Sequence, residues 1–230
     1  MPLLPPTVAK AVGLPVDYSA AKEVAKIQRA LFPPFKERGF VMKGRSFNRF
    51  LPDGMVQVVS FFTMPVVSSV YGQFAIEIGV FVPEVWSIRQ NAALPETFSA
   101  PHCELRDRIR PPDVEKNAAD EWEALACPEG ITAAREQTVG AAFAFFDRFA
   151  DRDRILADLS ALGDKRVGFF WGPPQVINAI IEWNRGHTEA ACQRLEAFLY
   201  DCARRGPILA GQEKYLRGLI ARLSTEKPMG

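Results

Sequence analysis

Histidine is nearly missing from this chain: its 230 residues include only His102 and His187. Cysteine is scarce too, with Cys103, Cys127, Cys192 and Cys202 and no C-x-x-C pair among them. A four-ligand zinc site therefore has no local spacing behind it. His102 and Cys103 are neighbours, and adjacent strand residues point to opposite faces, so they cannot serve each other as base and nucleophile. His187 follows a glycine at a helix junction, where a capping or surface role is expected. No P-loop, G-x-G-x-x-G, G-x-S-x-G, H-E-x-x-H or EF-hand pattern occurs, which removes the common nucleotide and metal chemistries. No metal and no cofactor is expected. No apolar run approaches the roughly 20 residues that span a bilayer. The N-terminal stretch lacks the basic region and apolar core of a secretory leader. Net charge is only +1, and the sequence pI is about 7.7. The chain thus has no long-range field for nucleic acid or an anionic membrane surface. A cytoplasmic protein with free thiols is the expectation.

What is present suits a folded domain, since 48% of residues are hydrophobic and 24% charged. Residues 1–17 hold four prolines and read as an extended arm. Residues 18–230 are expected to form a single α+β domain, in which 18–112 make a helix plus antiparallel sheet. Residues 113–226 are expected to form a helical part packed on it. Ser19 offers an N-cap for a helix with Val24, Ile27, Leu31 and Phe35 on one face. Pro33-Pro34 then predicts either an end near Leu31 or a kink.

From about 46 to 110 the pattern predicts a four-stranded antiparallel sheet. Ser46 to Leu51 and Met55 to Met64 flank Pro52-Asp53-Gly54, a hairpin signal. Val56 to Phe62 is apolar on both parities, as in a central strand covered on both sides. Residues 65–72 read as a loop. In Phe74 to Val82 every even position is apolar, with Glu77 and Gly79 on the other side. Pro83 to Pro101 reads as a long connection containing Trp86. His102 to Arg110 then alternates, with Cys103, Leu105 and Ile109 on one side. Glu104, Arg106 and Arg108 lie on the other.

The remainder has helical spacing. A weak helix is predicted over 114–125 with Trp122, and a stronger one from Thr132 to Phe149. Asp151 to Leu162 follows, closed by Gly163. Val167 to Trp171 reads as an edge strand or buried loop. Gly172-Pro173-Pro174 opens a helix ending at Gly186, with proline accepted in the first turn. Thr188 caps another to about Arg205. An amphipathic helix with Leu216, Leu219, Ile220 and Leu223 ends the chain.

Several stretches resemble one uncharacterised bacterial family, domain of unknown function 4304. They are Leu31 to Phe40, Lys43 to Arg49, Val56 to Val59, Phe74 to Phe81 and Cys103 to Arg108. Each is short, and their order and spacing carry the likeness. The resemblance implies an α+β fold with an antiparallel sheet and no established activity. The family's pattern places Asn and Gln where this chain has Ser60 and Phe62, and Asn where it has Glu77. Such amides would mark a shared polar site that is altered here.

The candidate binding residues are Gln57, Glu77, Glu104, Arg106, Arg108 and Trp171. If the strands are neighbours, Glu104, Arg106 and Arg108 lie beside Glu77 and Gln57 on one surface. Arginine's planar fork suits carboxylate and phosphate. The plainer reading of this surface is a ladder of cross-strand ion pairs, with Glu77 as partner of Arg106 or Arg108. Gly168 to Gln175 presents Trp171 at a helix start, where core packing is the plainer alternative. The expected function is a non-enzymatic binding or interaction module, of which a toxin-neutralising partner is one form. Its partner would be a protein or a small anionic ligand. The rival expectation is a hydrolase on an anionic substrate with Glu77 as general base.

Overall fold

The computed structural model describes residues 18–63, 72–111, 122–124, 126–162, 173–205 and 210–228. The expectations for the arm 1–17, the 65–71 loop, residues 114–121, Gly163 and the 167–171 run with Trp171 lie outside the described residues. In chain order the elements are α1 (Ala20–Glu37), β1 (Val41–Lys43), β2 (Ser46–Phe50), β3 (Val56–Thr63) and β4 (Gln73–Phe81). Next come α2 (Pro83–Gln90), a 3₁₀ turn (Ala100–His102), β5 (Leu105–Ile109), β6 (Trp122–Glu123) and α3 (Pro128–Arg148). The chain continues with α4 (Arg152–Leu162), α5 (Pro174–Asn184), α6 (Thr188–Arg205) and α7 (Ala210–Thr225). Two compact units result, Met1–Phe81 with Pro95–Asp147, and Val82–Leu94 with Arg148–Gly230. The fold is α+β, with an N-terminal helix, an antiparallel sheet and a helical C-terminal half.

In the first unit the sheet order is β1-β2-β3-β4-β5, and all pairs are antiparallel. The strand missing from the four expected is β1. It is created by a two-residue turn in which Gly44 takes φ +59°, the positive φ that a primed hairpin turn needs at its first central residue. The second hairpin forms at the predicted Pro52-Asp53-Gly54, with Gly54 at φ +84° and its N–H donating to the Leu51 carbonyl. Trp122 is not helical, contrary to expectation. It lies in β6 beside Phe74, on the same edge of β4 that β5 occupies further along.

The odd-numbered residues of β3 and the even-numbered residues of β4 share one face, which α1 and α3 cover. Phe35 of α1 lies 5.3 Å from Phe47 and 5.0 Å from Phe143, ring to ring. Phe40 lies 5.5 Å from Phe146. Burying each such side chain stabilises the fold by about 1.5–3 kcal/mol. This packing explains why α1 runs on through Pro33 and Pro34 to Glu37 instead of stopping at Leu31. The prolines remove two ladder donors, but Phe35 beyond them is fully buried and holds the last turn in place.

The second unit is built round α5, which is buried on nearly every side. The indole N–H of Trp183 donates to the Leu223 carbonyl at 2.9 Å, tying α5 to α7. The stretch after Pro83, expected as a plain connection, holds helix α2. Pro83 fits its first position, Glu84 and Arg89 suit the helix dipole at either end, and Asn91 closes it at φ +48°.

A polar row on the open face of the sheet and its pocket

The opposite face of the sheet carries the even residues of β3 and the odd residues of β4. Register aligns Ser46 with Ser60, Ser60 with Glu77, and Glu77 with Arg108. One polar row therefore crosses four strands. At one end Arg108 donates to Glu77 at 2.7 Å, and Arg106 approaches the other carboxylate oxygen at 3.6 Å. The three side chains are only 11%, 11% and 22% exposed for Glu77, Arg106 and Arg108. Burial works against the Arg106 charge and lowers its pKa, while Glu77 pulls it back up. The expected juxtaposition of Glu77, Arg106 and Arg108 is thus present as a largely buried ion network.

Gln57 does not join it. Odd parity in β3 turns Gln57 to the helix-covered face, where its amide N–H is 3.5 Å from the Phe146 carbonyl. Glu104 is buried just ahead of β5. Cys103 departs from the expected alternation. Because β5 begins only at Leu105, the chain before it is free to turn, and Cys103 sits against Gly79 on the Glu77 face. There burial pushes the Cys103 thiol well above its ordinary pKa, and Glu104 adds to the effect.

The strap from Glu96 to Cys103 is tied over this face. Lys43 Nζ donates to the Glu96 carbonyl at 2.9 Å, and Asn48 donates to the Phe98 carbonyl at 3.1 Å. The Ala100 N–H donates to Ser60 Oγ at 2.9 Å. Phe98 stacks edge-on to Phe81 with ring centres 4.8 Å apart. Between strap and sheet lies a pocket of about 360 Å³, at the Ser46 and Ser60 end of the row. That volume is in the range of small-molecule sites, about 300–1,000 Å³. Its lining includes the hydroxyl residues Ser46, Ser60, Thr97 and Ser99, the cationic Lys43 and Arg45, and the aromatic Phe62 and Phe98. Among the described residues no carboxylate, imidazole or thiol lines it.

The pocket is not legible in the sequence because its residues come from a turn, two strands and a strap far apart in the chain. The available signal was the pair Ser60 and Phe62, expected to mark an altered polar site; both line the cavity. Among the described residues no group of three His, Cys, Asp or Glu is placed to hold a metal ion. Among the same residues no helix is long and apolar enough to cross a membrane.

No curated protein and no solved structure matches the chain. Residues 31–141, which include the whole five-stranded path, match the family described as Domain of unknown function (DUF4304), and over that stretch the resemblance carried by the helix end and strands is established.

Proposed function

We propose that this protein is a non-enzymatic binding module whose contact site is the Ser46 and Ser60 end of the polar row, not Glu77. One observation carries the reading: the pocket on that face is lined by hydroxyl residues, two cations and two aromatic residues, with no carboxylate, imidazole or thiol among its described residues. Glu77, the base of the hydrolase reading, is held by two guanidiniums and does not line the pocket. The arrangement supports Glu77 as the structural partner of Arg108 and Arg106. A cytoplasmic location fits the four cysteines, all of which are free.

The test is a thermal-shift screen of the full chain against small neutral and anionic compounds, with ester and phosphoester substrates included. A ligand that binds only the folded state raises Tm by mass action. The expected result is a ligand that raises Tm in both wild type and Glu77→Gln and is recovered unchanged. Turnover of a substrate that disappears in Glu77→Gln would overturn the reading.

A further inference from the structure

Building on the binding reading above, we infer that the pocket takes a small organic anion: an oxyanion head group joined to a short apolar body. Three features of the cavity specify this class. The first is charge. Lys43 and Arg45 both line it, on either side of Gly44 in the β1–β2 turn, and no carboxylate among the described residues offsets them there. Each is also held by a hydrogen bond within the fold. Lys43 spends one donor on the Glu96 carbonyl, and Arg45 spends one on Thr63 Oγ1 at 2.7 Å. An ammonium has three donors and a guanidinium five, so both keep donating capacity beyond those bonds.

The second feature is a hydroxyl relay. Ser60 Oγ accepts the Ala100 N–H at 2.9 Å and lies 2.9 Å from Ser46 Oγ. When the Ser60 hydroxyl donates its hydrogen bond to Ser46 Oγ, the Ser46 O–H is left to donate into the pocket. A ligand oxygen carrying negative charge selects that order, because every hydroxyl in the chain then donates toward it. Neutral carbonyls gain less from the same polarisation. The third feature is the apolar wall. Phe62 and Phe98 are half-buried, so a ligand with an apolar body covers ring surface that water otherwise meets. A bare inorganic anion leaves most of about 360 Å³ unfilled.

The experiment is isothermal titration of the full chain with phenyl phosphate, phenylacetate, benzyl alcohol and inorganic phosphate. Phenyl phosphate and phenylacetate separate a phosphate head from a carboxylate head. Whichever fits, the better anion should bind about tenfold or more tightly than benzyl alcohol and than inorganic phosphate. Raising the salt concentration should weaken it. Arg45→Gln and Lys43→Gln lie on an exposed turn and leave the sheet's core untouched; each should weaken the anion by about tenfold. Ser46→Ala should weaken it as well, and the turn variants carry the test if Ser46→Ala fails to fold. Benzyl alcohol binding as tightly as the anions would overturn the anion assignment and leave the binding reading standing. Unchanged affinity in both turn variants, or no binding by any probe, would also overturn it. Phenol release from phenyl phosphate would instead overturn the binding reading.

Discussion

Cys103 packs onto the bare backbone of Gly79, so closely that a β-carbon on Gly79 would stand 2.6 Å from the Cys103 β-carbon and 2.9 Å from its sulfur. The same atom would meet the Leu105 carbonyl at 3.1 Å. Gly79 has ordinary strand φ, so space and not backbone conformation calls for glycine here. Gly79→Ala should therefore destabilise the first unit by about 1–3 kcal/mol, the usual cost of forcing extra atoms into a packed site. Cys103→Ala removes the sulfur but keeps the nearer β-carbon, so it should rescue Gly79→Ala only slightly. Urea midpoints of the two single variants and the double variant measure this directly. Full rescue would mean that the strap shifts freely.

The same burial makes a pH prediction. The folded Cys103 thiol has its pKa raised, first by desolvation and then by Glu104. An unfolded thiol ionises near pH 8.5, so above that pH the unfolded state sheds a proton that the folded state keeps. Stability from this group is whole below about pH 8.5 and falls as pH rises further. Cys103→Ala should flatten the alkaline limb of a stability–pH curve. In the native state Cys103 should also react with iodoacetamide far more slowly than Cys127, Cys192 or Cys202, which are partly exposed. Peptide mapping after a timed pulse reads the order.

The strand positions of this fold were legible because alternation and turn chemistry are local. Phe74 to Phe81 announces a half-buried strand, and Pro52-Asp53-Gly54 announces its turn. β1 was not legible, being three exposed residues with no apolar pattern, and only the glycine at 44 hinted at it. The fate of Pro33-Pro34 depended on a tertiary contact, Phe35 against Phe143, more than a hundred residues away. Among site residues, Glu77, Arg106 and Arg108 were brought together as parity required. Gln57 was misplaced because strand parity fixes a residue's face only relative to its own strand. Pairing Ser60 with Glu77 is what turns Gln57 away, and no sequence rule sets that register.

The Glu77 network should behave as structure. Glu77→Ala leaves Arg106 and Arg108 side by side and largely buried, each disfavouring the other's charge. Removing one partner of a buried ion group typically costs about 3–5 kcal/mol. Glu77→Gln keeps an acceptor of the same shape, and a loss of about 1–3 kcal/mol is expected. Chemical denaturation of both variants, beside the titration of phenyl phosphate, separates stability from binding. A wild-type midpoint for Glu77→Ala would remove the structural role.

The second unit rests on a comparable pair that no motif or spacing singles out. Arg152 of α4 grips Glu84 of α2 through Nε and Nη2 of one guanidinium edge, at 2.6 and 2.9 Å. The Glu84 side chain is 1% exposed and that of Arg152 is 14% exposed. The two ends are therefore unequal. Arg152→Ala strands a buried carboxylate and should cost about 3–5 kcal/mol. Glu84→Ala leaves a guanidinium nearer the surface, which can turn toward water on its long stem, so its cost should be smaller. Replacing both by methionine removes two desolvation penalties at once and keeps the volume. The double variant should then be closer to wild type than Arg152→Ala. A double-mutant cycle of urea midpoints, supported by limited proteolysis of the helical unit, gives the coupling directly. Equal losses from the two single alanine variants would show that exposure does not decide between them.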